Sequence, residues 1–299
     1  MNTRDTIIHG ACTELLVAYN PQGEIDFRLF EGEVDRQIES GIAALFCNGL
    51  ATEALLTTHD EQIAMVKTVV NRVRGKVPVI GNIVTNVALD AIKLLRGYED
   101  AGASAVCITQ PMVYEYTPDG LYKYFSSIAT RTVLPVYIYN APESSNTMSP
   151  ALVAKIVNDH DNVIGYKDST KDIMHLQTVK MSIKPEKHFE CVAGSDGTIF
   201  PTLAIGGAGV ISLISAVFPK PVIECCEAYF KGNIEESYHL QEFILKIRIA
   251  MKAAPLFSAY KFASELLGYP IGGLRAPLID ATPEQKKVIQ ENLKALNLI

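Results

Sequence analysis

No long basic run appears in the chain: 27 lysines and arginines are outnumbered by 33 aspartates and glutamates, for a net charge of −6. Neutralising a phosphate backbone takes clustered cations, so a nucleic-acid partner is not expected. The six cysteines, at positions 12, 47, 107, 191, 225 and 226, form no CxxC pair and no Cys/His ligand spacing. Cys12, Cys47, Cys107 and Cys191 lie in apolar runs, where a free thiol behaves as a small buried hydrophobe. The opening residues, Met1-Asn2-Thr3-Arg4-Asp5, lack the apolar core of a signal peptide. No uncharged apolar stretch reaches the ~18 residues of a membrane span without a glycine, proline or serine. A reduced, cytoplasmic protein with no membrane partner is expected. With 48% hydrophobic and 20% charged residues over 299 positions, disorder is excluded, and the core needs neither disulfide nor structural metal.

What is present is a repeated alternation. Short β-branched and apolar runs predict strands near 11–18, 42–47, 77–84, 103–109, 134–140, 162–167, 188–193 and 208–213. The gaps carry helical periodicity or helix-start signals. Thr58 to Glu61 reads as a capping box, Ser149-Pro150 as an N-cap followed by a first-turn proline, and Thr282-Pro283-Glu284-Gln285 as both together. Eight strand–helix units predict an α/β fold, a (β/α)8 TIM barrel over residues 1–230. Helical segments near 219–230, 234–252, 256–267 and 282–296 close the barrel and predict a C-terminal helical extension, set at 231–299. A doubly wound sheet is the alternative, but no GxGxxG follows the first strand to hold a dinucleotide.

In a (β/α)8 barrel the chemistry sits at the strand C-termini. The sixth predicted strand ends in Lys167, which shares a face with Val163 and Gly165 by period-two alternation. A lysine there could simply reach solvent or pair with Asp168. Desolvated and placed beside a cation, its amine would instead fall from a pKa of about 10.4 toward neutrality and attack a carbonyl. Tyr139 ends the neighbouring fifth strand, with Tyr137 one layer deeper. Either ring could be an amphipathic core aromatic, or a phenol shuttling protons to an imine-forming lysine. The segment Gly49-Leu50-Ala51-Thr52-Glu53 follows the second strand, where backbone N–H groups make a natural carboxylate cradle. None of the six histidines ends a strand and no HxH or HxxEH cluster occurs, so no metal is expected.

Together, Tyr139-Asn140-Ala141-Pro142, Gly165-Tyr166-Lys167-Asp168-Ser169 and Gly207-Ala208-Gly209-Val210-Ile211-Ser212 resemble the class I pyruvate-dependent lyase family, which includes dihydrodipicolinate synthase and N-acetylneuraminate lyase. The resemblance spans nearly the whole chain. It implies a homotetramer that needs no cofactor and takes pyruvate and an aldehyde as partners. On it Lys167 matches the Schiff-base lysine and Tyr139 the proton shuttle. Gly49, Leu50, Ala51, Thr52 and Glu53 match the loop that holds the 2-oxo-acid carboxylate, and Ile211 a position whose main-chain carbonyl faces substrate.

Departures from the family pattern bear on the substrate. Leu50 and Ala51 stand where the family has hydroxyl residues, and each lost hydrogen bond to a charged group costs about 1.5–3 kcal/mol. The family's second relay tyrosine falls on Val113, with Tyr114 and Tyr116 nearby. The arginine that anchors the second substrate of dihydrodipicolinate synthase is replaced by Ser144, which removes a bidentate carboxylate partner. Ser144, Asn140, Ser169, Asp196 and Ser212 suit a hydroxylated aldehyde. The expected activity is therefore a class I lyase or aldolase on a 2-keto-3-deoxy sugar acid or sialic-acid-like compound. Dihydrodipicolinate (4-hydroxy-tetrahydrodipicolinate) synthase is the alternative, and a non-catalytic 2-oxo-acid binder the further one.

Overall fold

The computed structural model describes residues 6–141 and 147–299. Its strands are β1 (Gly10–Glu14), β2 (Ala44–Cys47), β3 (Val79–Ile83), β4 (Ala105–Thr109), β5 (Val136–Asn140), β6 (Val163–Asp168), β7 (Glu190–Ala193) and β8 (Gly209–Ser212). Each pairs in parallel with the next, and β8 pairs with β1, so the sheet closes as a barrel in chain order. Helices α1 (Phe27–Glu39), α2 (His59–Val73), α3 (Ala88–Ala101), α4 (Pro118–Ala129), α5 (Pro150–Asp159), α6 (Ile173–Met181) and α7 (Ile199–Ala204) connect successive strands. After β8 come α8 (Pro219–Phe230), α9 (Ile234–Met251), α10 (Leu256–Leu266) and α11 (Pro283–Ala295). The expected (β/α)8 barrel with a C-terminal helical part is the fold observed.

Local chemistry explains where the helices begin. The Thr58 hydroxyl accepts the Glu61 N–H at 3.2 Å while the Glu61 carboxylate accepts the Thr58 N–H at 2.8 Å, satisfying two otherwise orphaned donors of α2. Thr282 and Gln285 repeat the arrangement at α11, and Ser149 caps α5 ahead of Pro150. Alternation along each strand then splits the apolar residues into two cores. Cys12, Phe46, Ile80, Cys107, Tyr137 and Val192 fill the barrel interior. Val66, Leu94, Phe125, Ile156 and Val222 belong to the layer between barrel and helices. Each fully buried side chain of this size contributes about 1.5–3 kcal/mol. All six cysteines are buried and unpaired, as small hydrophobes.

One strand boundary differs from the sequence reading in a way that affects the site. The first strand was expected to run to 18, but its ladder ends at Glu14. Leu15 to Ala18 are as apolar as a strand because they are buried beyond it, among residues of the outer core. The C-terminal helices are tied back to the barrel mouth. Arg275 pairs with Glu61 at the start of α2 at 2.7 Å, and Lys261 of α10 pairs with Glu53 at 2.7 Å. Among the described residues no helix is long and apolar enough to cross a membrane.

Candidate active site

The β5–β6 register sets Tyr139 opposite Lys167 and Tyr137 opposite Gly165. Lys167 is 1% exposed, and its Nζ lies 4.1 Å from the centre of the Tyr139 ring and 4.4 Å from that of Phe46. Gly165 leaves room for Tyr137, since any side chain there would overlap the tyrosine ring. Tyr137 points one layer down and donates its hydroxyl to Glu190, which also accepts the N–H groups of Ile7 and Ile8 at 2.9 Å each. Burial, reinforced by the Glu190 charge, pushes the Tyr137 phenol well up, so it acts as a fixed donor. Tyr139, by contrast, lines a cavity of about 280 Å³. Its hydroxyl is 3.1 Å from Ser169 Oγ, which in turn donates to the Gly194 carbonyl at 3.0 Å.

The partner of Lys167 is a residue that the sequence reading passed over. Glu14, at the end of β1 and 3% exposed, places Oε2 3.1 Å from Lys167 Nζ. Its Oε1 accepts the Ala51 N–H at 2.9 Å. Asp168, the expected structural partner, faces away toward Asn140, Tyr166 and Thr170. The electrostatics of Lys167 need a correction as well. Burial opposes its charge, but the Glu14 carboxylate and then Tyr139 outweigh burial and hold the amine above its ordinary value, not near neutrality. Among the described residues no cation acts on Lys167 to lower it. Period-two alternation from Cys12 would have put Glu14 at the barrel mouth, had the strand been ended at residue 14.

The Gly49–Glu53 segment forms a tight 3-10 turn over Leu50–Thr52. Leu50 and Ala51 line the cavity, and Ala51 presents its N–H there. Thr52 and Glu53 do not line it. The Thr52 hydroxyl donates back to the Gly49 carbonyl at 3.1 Å, and Glu53 is turned outward to Lys261 by its left-handed backbone (φ 65°). Both shape the turn from behind. Gly49 also stands behind the wall, packed directly against the Glu14 carboxylate.

The remaining expected contacts divide in the same way. Ser169, Asp196 and Ile211 line the cavity. Asn140 is fully buried and donates to Tyr166 at 2.9 Å, while its carbonyl oxygen accepts the Met148 N–H at 3.2 Å. Ser212 is also fully buried, and donates to Asp196. Asp196 further accepts the N–H groups of Leu213 and Ile214, each at 3.3 Å. The Asp196–Ser212 pair thus pins the end of β8, with its polar atoms committed to the fold. Burial raises the Asp196 carboxyl, with these hydrogen bonds opposing. Ser144 lies outside the described residues. Val113 holds a left-handed backbone (φ 76°), rare for a β-branched side chain, and is 82% exposed beside Tyr114. The sequence reading missed Lys171, Ser195, Arg248 and Tyr260, which also line the cavity. Arg248 and Tyr260 come from α9 and α10, so no strand-end pattern could reveal them. Among the described residues no group of three His, Cys, Asp or Glu could hold a metal ion.

Comparison with known proteins agrees with this fold. The model of the dihydrodipicolinate synthetase family matches residues 8–296. A 4-hydroxy-tetrahydrodipicolinate synthase from Thermotoga petrophila is 33% identical, over 98% of this chain and all of its own. One from Alkaliphilus oremlandii is also 33% identical, over 93% of this chain and 95% of its own. The crystal structure of dihydrodipicolinate synthase from Thermotoga maritima superposes with a TM-score of 0.93 at 30% identity, covering 98% of this chain and 100% of that one.

Proposed function

Because the chain belongs to the dihydrodipicolinate synthetase family, whose members are pyruvate-dependent lyase-type enzymes that form carbon–carbon bonds, we propose that Lys167 is an imine-forming nucleophile. The supporting observation is a buried amine at a strand end, set over the Tyr139 ring at the cavity wall, with a carboxylate in hydrogen-bond reach. To attack, the ammonium of Lys167 passes a proton to Glu14 Oε2, 3.1 Å away. The free amine adds to the carbonyl carbon, Glu14 returns the proton to the departing hydroxyl, and loss of water leaves an iminium beside the Glu14 carboxylate. That iminium draws in the electron pair of the carbon–carbon bond being broken while the Tyr139 hydroxyl relays the proton of the departing hydroxyl, accepting it as its own passes on to solvent in the cavity. The resulting enamine is protonated and hydrolysed. Run in reverse, the same steps join an enamine to an aldehyde.

Of the finer readings, 4-hydroxy-tetrahydrodipicolinate synthesis is supported by the names of the 33%-identical relatives. The sugar-acid reading is weakened, because Asp196 and Ser212 spend their polar atoms on each other and on the backbone. A homotetramer goes with the family resemblance, and a cytoplasmic location with the sequence reading. Borohydride trapping in the presence of small carbonyl compounds, followed by peptide mapping, tests the lysine. One reduced adduct on Lys167, lost in Lys167→Ala, is expected. Labelling elsewhere, or none with any carbonyl, would overturn the mechanism.

A further inference from the structure

The carboxylate of Glu14 is built into the site. One oxygen accepts from the turn after β2 through the Ala51 N–H, and the other meets Lys167 Nζ. Gly49 is shaped to it, because a side chain there would overlap the carboxylate. The turn that reads as a carboxylate cradle is therefore occupied by a carboxylate of the chain itself. Charge at this end of the cavity balances as one ammonium against one carboxylate. When an imine forms, the nitrogen still carries one positive charge as the iminium, and Glu14 remains its counter-ion. A donor with a carboxylate bonded directly to its carbonyl carbon would set that group two bonds from the nitrogen. That is the shell Glu14 Oε2 already fills, so a buried anion would be left without compensation. The cavity is also lined by Arg248, which is carried by α9 and among the described residues makes no ion pair.

We infer that Glu14 turns the site away from carbonyl donors carrying a carboxylate beside the carbonyl, and toward neutral aldehydes and ketones whose anionic group, if any, lies farther along toward Arg248. This deepens the imine-forming reading and rests on it, and it stands against the 4-hydroxy-tetrahydrodipicolinate synthase reading, whose donor, pyruvate, carries that carboxylate.

The test uses two probes of one shape, pyruvate and its neutral amide pyruvamide, with borohydride trapping on the intact protein. Labelling of Lys167 is titrated against each and normalised to the same pair reacting with free Nα-acetyl-lysine. Half-saturation is expected at least about tenfold lower for pyruvamide than for pyruvate in the wild type. Glu14→Gln should remove that preference, and Glu14→Ala, which opens the Ala51 N–H, should reverse it. Should Glu14→Ala fail to fold, Glu14→Gln decides alone. Equal or tighter saturation by pyruvate in the wild type, or an unchanged ratio in Glu14→Gln, would overturn the inference while leaving Lys167 labelled. No labelling by either probe would instead remove the imine itself, and the inference with it.

Discussion

Two buried lysine–glutamate pairs flank the same turn, and they do different work. Lys167 meets Glu14 at 3.1 Å on the cavity side, while Lys261 meets Glu53 at 2.7 Å behind it and also donates to the Gly273 carbonyl at 2.6 Å. The Lys167 amine is raised, because Glu14 and Tyr139 outweigh burial. The Lys261 amine is lowered, because burial outweighs Glu53. By ease of deprotonation alone, Lys261 would be the better nucleophile. It instead acts as a clamp between α10 and the turn, outside the cavity that Tyr139 and Glu14 line. Position beside the cavity-lining Tyr139 and Glu14, more than resting pKa, sets Lys167 apart from Lys261.

That contrast can be broken first at the level of turnover. Lys167→Ala is expected to abolish trapping and lower turnover by about 10³-fold or more, whereas Lys261→Ala should leave Lys167 labelled. Stability should show the reverse order. Lys261→Ala strands Glu53 in the interior and should cost about 3–5 kcal/mol in chemical denaturation. Lys167→Ala should cost less, since Glu14 borders a cavity that admits water. Equal losses from the two would mean that both pairs are clamps.

A smaller effect separates adduct formation from bond cleavage. Tyr139→Phe keeps the ring over Lys167 but removes the hydroxyl, so single-turnover kinetics should show the adduct still forming and cleavage slowed by about 10²-fold. Unchanged cleavage would assign the proton transfer elsewhere. The smallest effect is in pH dependence. With its folded pKa raised, Lys167 contributes stability that is complete below the unfolded value of about 10.4 and lost as pH rises through the folded value. Lys261, with its folded pKa lowered, binds fewer protons folded than unfolded below that point, so stability rises with pH there. Denaturation across pH 8–10 should therefore show a shallower rise in Lys261→Met than in the wild type.

Eight strands, the helices between them and three helix caps could be read from the sequence, because periodicity, capping hydroxyls and prolines act over a few residues. Thr58, Ser149 and Thr282 cap as read. Lys167 and Tyr139 could also be found, because each is the next-to-last residue of a strand and neighbouring strands in a barrel are neighbours in the chain. What could not be read is whatever depends on closure. Glu14 and Lys167 lie 153 residues apart, and nothing near either one names the other. They meet only because the barrel closes and β1 ends at 14, which the apolar run that follows it hides. Thr52, Glu53, Asn140 and Ser212 carry the right chemistry in the right segments, yet turn, register and capping aim them into the fold. Local sequence set which residues reach the mouth of the barrel. Tertiary packing alone decided which of them face the cavity and which charge lies against the Lys167 amine, since both depend on side-chain direction and on contacts across the closed sheet.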